Sequence, residues 1–143
     1  MLHKEYRQRL ANEYRYAVTR MQQENEAVKK LFYFSVFFAE AQRVFNWEWD
    51  TDLALIQIIT QQVHTQINVT MQTPGLLQTL PIDWETTFDK LTQVASDLAT
   101  HFEKAENESN KEELCQILGR LAEINYVVTG NGSYLYEKGL IKF

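Results

Sequence analysis

The sequence predicts an all-α, single-domain bundle of four to five helices with a short apolar C-terminal tail, and three observations support that. No Gly or Pro occurs in residues 1–73, so the strongest helix breakers are missing from half the chain. Apolar residues recur at three- and four-residue steps along most of its length. The chain has 143 residues and is 45% hydrophobic, enough for one core with little room for a second. The same apolar fraction excludes intrinsic disorder.

A first helix is expected over residues 3–25, where Leu2, Tyr6, Leu10, Tyr14, Ala17, Met21 and Val28 form one stripe. Glu5–Arg9 and Arg9–Glu13 fall at helical i,i+4 spacing and read as surface ion pairs. Residues 28–45 are apolar nearly all round, with Leu31, Phe32, Phe34, Val36, Phe37, Phe38, Val44 and Phe45. The helix formers Ala27, Ala39, Glu40, Ala41, Gln42 and Arg43 favour one central helix over a buried strand. It is too short to span a bilayer, which takes about 20 apolar residues. Glu40 needs a partner there, and Arg43 is the nearest. Residues 46–49 read as a corner, with an N-cap at Asp50 or Thr51.

A third helix is expected over residues 52–71, with Leu53, Ile56, Thr60, Val63, Ile67 and Met71 on one face. Alternation at Val63, Thr65, Ile67, Val69 and Met71 makes a strand the competing reading. Thr73, Pro74 and Gly75 break the element. Asp83 caps a fourth helix whose stripe is Trp84, Phe88, Leu91, Ala95, Leu98, Phe102 and Ala105. Ser109 and Glu112 match a capping box opening a fifth, with Leu114, Ile117, Leu118, Leu121, Ile124 and Val128 inward. The tail, with Tyr134, Leu135, Tyr136, Leu140, Ile141 and Phe143, is expected to pack as a short helix or strand.

Signatures of chemistry are thin. His3, His64 and His101 lie at no metal-ligand spacing, and neither Glu-x-x-His nor His-x-x-x-His occurs. Asp97 and His101 read as a local i,i+4 ion pair, and His64 as a hydrogen-bonded structural histidine. Cys115 is flanked by Glu112 and Glu113, which oppose a thiolate, so it reads as a semi-buried filler. There is no phosphate-binding Gly-rich loop and no nucleophile elbow. The expectation is a protein without catalytic residues, metal or cofactor. A single cysteine, and an N-terminus that opens with His3, Lys4 and Glu5 and shows no apolar region of a secretory signal, point to a reducing, cytoplasmic setting.

Net charge is −5, which disfavours a general nucleic-acid binder. Lys4, Arg7, Arg9, Arg15 and Arg20 nevertheless form a candidate basic patch, which would suit an accessory subunit of a nucleic-acid-handling complex. The most unusual feature is an absence: residues 53–82 contain no Asp, Glu, Lys or Arg. Gln57, Gln61, Thr65 and Asn68 lie opposite much of the apolar stripe there, and interface cores are depleted in charge. Together with Trp47, Trp49, Tyr134 and Tyr136, they make the leading expectation a non-enzymatic interaction or assembly protein. It would be a homodimer or dock on a larger assembly, with no membrane partner. The alternative outside that class is a small-molecule binder with a pocket of Phe32, Phe34, Phe37, Phe38 and Trp84.

Overall fold

The computed structural model describes residues 3–73, 82–104 and 109–129. Every element among them is helical: α1 (Lys4–Gln23), α2 (Ala27–Phe34), α3 (Val36–Phe45), α4 (Thr51–Gln72), α5 (Trp84–Glu103) and α6 (Ser109–Thr129). The expected all-α bundle is what forms. The connection over residues 74–81 and the tail over 130–143, with Tyr134 and Tyr136, lie outside the described residues.

Two contacts at the start of α1 set the directions of the rods. The His3 backbone N–H donates to Glu48 Oε1 just beyond α3, at 2.8 Å. Arg7 donates to the backbone oxygens of His101 and Lys104 at the end of α5, at 2.7 and 3.1 Å. α1 is therefore antiparallel to both α3 and α5. α4 turns back along α3, and α6 turns back along α5. α4 packs between α3 and α6, and α5 joins α6 to α1, closing a ring. α4 and α6 are thus parallel neighbours, with Thr70 Oγ1 donating to the Val128 oxygen at 3.4 Å near their C-terminal ends.

The expected single helix over residues 28–45 is two helices, broken at Ser35. The Ser35 backbone N–H is shared between the Leu31 and Phe32 oxygens, both at 3.2 Å, and its hydroxyl donates to the Phe32 oxygen at 2.5 Å. Such bonding tightens one turn toward 3₁₀ geometry and bends the rod. Buried side chains Leu31, Phe34, Phe37, Ala41 and Val44 step by three, three, four and three across it. Phe34 and Phe37 reach the centre, whereas Phe32 is left 66% exposed and Val28 also faces out. At the centre Tyr14 stacks on Phe37, with centroids 4.4 Å apart, and donates its hydroxyl to the Phe37 oxygen at 2.8 Å.

The strand reading of residues 63–71 fails, because Val63, Ile67 and Thr70 are buried at helical steps while Thr65 and Val69 are exposed. Thr70 takes the core position expected of Met71, which is half-buried. The caps at Asp50 and Asp83 fall where expected, Asp50 accepting from the Leu53 N–H at 2.9 Å and Asp83 from the Thr86 N–H at 3.1 Å, whereas the Ser109 side chain of the expected capping box lies outside the described residues.

Two surface readings need correction. Arg9 reaches across to Glu40 on α3, Nε to Oε2 3.0 Å, rather than along α1 to Glu5 or Glu13. Asp97 pairs with Arg120 on α6 at 2.8 Å, and His101 is buried instead of completing a local pair with it. In both cases a packed neighbouring helix offered a better-placed partner than the same helix did.

Candidate functional site

Residues 53–72 of the charge-free span lie in α4. Its inward side is Leu53, Ile56, Thr60, Val63, Ile67 and Thr70. Thr60 satisfies its buried hydroxyl by donating to the Ile56 oxygen at 2.5 Å. Of the predicted interface residues, Gln61, Thr65 and Asn68 are exposed. Asn68 also accepts from the Gln72 amide at 3.0 Å, one turn on. Gln57 does not join them. It is half-buried and donates its amide to Gln42 Oε1 on α3.

Sequence reasoning missed the apolar members of this face. Leu55, Ile58 and Val69 are 42%, 61% and 37% exposed, and Gln62 is exposed among them. They share the outward side of α4 with Thr65. The signal was their three- and four-residue spacing, hidden because the inward side of the same helix is equally apolar.

Trp47 and Trp49 are exposed at the α3–α4 corner, Trp47 stacked near Tyr6 and Trp49 near Phe45, each with centroids 6.2 Å apart. They precede α4, and at 1.5 Å per residue Gln61 begins about 15 Å further along its axis. The structure thus presents two separate surfaces, a corner and a helix face.

The predicted basic residues are not brought together. Arg7 and Arg15 point to α5, where Arg15 holds Glu103 and the Thr100 hydroxyl, the latter at 2.8 Å. Arg9 points to α3, and Arg20 lies over the Tyr33 ring at 4.9 Å while binding Glu24 at 3.3 Å. Lys4 is exposed. These guanidiniums join helices along two flanks of α1.

The aromatic residues disperse as well. Phe34 and Phe37 fill the core, Phe32 is exposed, and Phe38 meets His64 edge-on at 5.2 Å. Trp84 sits against Phe88 beside an open cleft of about 450 Å³, rimmed by Glu24, Lys30, Glu85 and Asp89. A second cleft, about 290 Å³, is lined by Asp97, Lys104, Glu113 and Arg120 between α5 and α6. Its charges are already paired, Lys104 with Glu113 at 3.0 Å and Arg120 with Asp97.

Burial holds the His64 and His101 imidazoles below their ordinary pKa, with the Arg7 cation adding to the effect at His101. A hydrogen bond to the Leu31 backbone partly opposes the shift at His64. Among the described residues His101 Nδ1 has no hydrogen-bond partner. Burial, reinforced by the nearby Glu40 carboxylate, drives the Tyr14 hydroxyl far above its ordinary value. Cys115 is exposed, not semi-buried. Among the described residues no three His, Cys, Asp or Glu side chains converge as a metal site would require, and no helix is long and apolar enough to cross a membrane.

No protein-family model, curated protein or solved structure matches this chain.

Proposed function

We propose that this chain is a non-enzymatic interaction protein that works by docking the outward face of α4 on another protein surface. The observation that carries the reading is that face itself: three large aliphatic side chains in water, flanked by glutamine, threonine and asparagine, without one formal charge in residues 53–82. A solvated helix face carries Lys and Glu, whereas the centre of an interface is depleted in both. Two of the buried titratable groups support the same reading, since Glu40 and Tyr14 are engaged in holding helices together.

The test is the size of the species that contains the chain. Tagged and kept at native level in its own host, the wild type sediments in a species larger than its 16.8 kDa. Gln61→Glu with Thr65→Glu moves it toward the monomer while circular dichroism stays at wild-type helicity. A wild-type chain that sediments alone in that extract overturns the proposal.

A further inference from the structure

We draw no further inference here: the strongest candidate, the pair of exposed tryptophans Trp47 and Trp49 at the corner between α3 and α4, carries nothing because the nearby Glu48 and Asp50 carboxylates are taken up by the His3 and Leu53 backbone N–H groups and nothing in the structure shows what covers the two rings.

Discussion

Arg9 Nε lies 3.0 Å from Glu40 Oε2, and this pair ties α1 to α3 at the one buried carboxylate among the described residues. Arg43 holds the other oxygen at 2.6 Å. Glu40 is 4% exposed, while both arginines are open to water on their far sides. The cost of breaking the cluster is therefore lopsided. Glu40→Gln frees two arginines that can rehydrate and should cost about 1–3 kcal/mol. Arg9→Ala with Arg43→Ala strands a buried carboxylate and should cost about 3–5 kcal/mol. Urea unfolding of both variants checks the order, and the opposite order would remove the ion-pair account.

Stability should fall as pH drops below about 6.5, the ordinary histidine value. His64 and His101 are depressed by burial in the folded chain, so between the two values the unfolded chain binds more protons and protonation favours unfolding. The contribution is fully present above the unfolded value and is lost toward the folded one. His101→Gln should flatten the decline in part, and adding His64→Gln should flatten it further. Denaturation midpoints between pH 5 and pH 8, or about that range, measure this. An unaltered slope in the double variant would assign the decline elsewhere.

Phe88 and Leu91 belong to the α5 stripe and are both buried. Replacing either by Ala should cost about 2–5 kcal/mol. Phe32→Ala, on the exposed side of α2, should stay within about 0.5 kcal/mol. Thermal melts of the three variants test whether the bend at Ser35 divides inner from outer phenylalanines as described.

Asp83 accepts from both the N–H and the hydroxyl of Thr86, and these bonds hold its carboxyl below the usual carboxylate range. Asp83→Ala should lower stability at neutral pH, because the Thr86 N–H loses its cap. The folded-state value is depressed, so the wild-type advantage is present above the unfolded value and disappears as pH falls through the folded one. The two proteins should therefore converge in acid, and an advantage that persists there would make the effect something other than the cap.

The helices were legible because burial repeats with the helix period: Leu10, Tyr14, Ala17 and Met21 can be picked out before any coordinates. Asp50 and Asp83 were legible because capping is local. The partner of Arg9 was not, since a spacing rule sees Glu5 and Glu13 but not a helix 31 positions away. Ser35 hid for a related reason: serine is an ordinary helix residue until the tightened step from Phe34 to Phe37 is noticed. Gln57 was assigned to the outer face because an angle on one helix does not reveal which neighbour fills the flank. α4 concealed its outward apolar residues because it is apolar on two sides, which weakens the contrast that pattern reading depends on.

Arg7 closing the end of α5 also says something about the order in which the protein can be made. Its two backbone acceptors lie 94 and 97 positions downstream, and Phe102, whose edge meets Tyr14 at 5.5 Å, is as distant. α1 leaves the ribosome early and has no cover on that flank until α5 is synthesised. At about 5–20 residues per second the interval is on the order of ten seconds. A truncation before residue 84 makes that interval permanent. The nascent chain, more than the finished one, is where this protein is exposed to aggregation and where a holding chaperone would find its apolar surface.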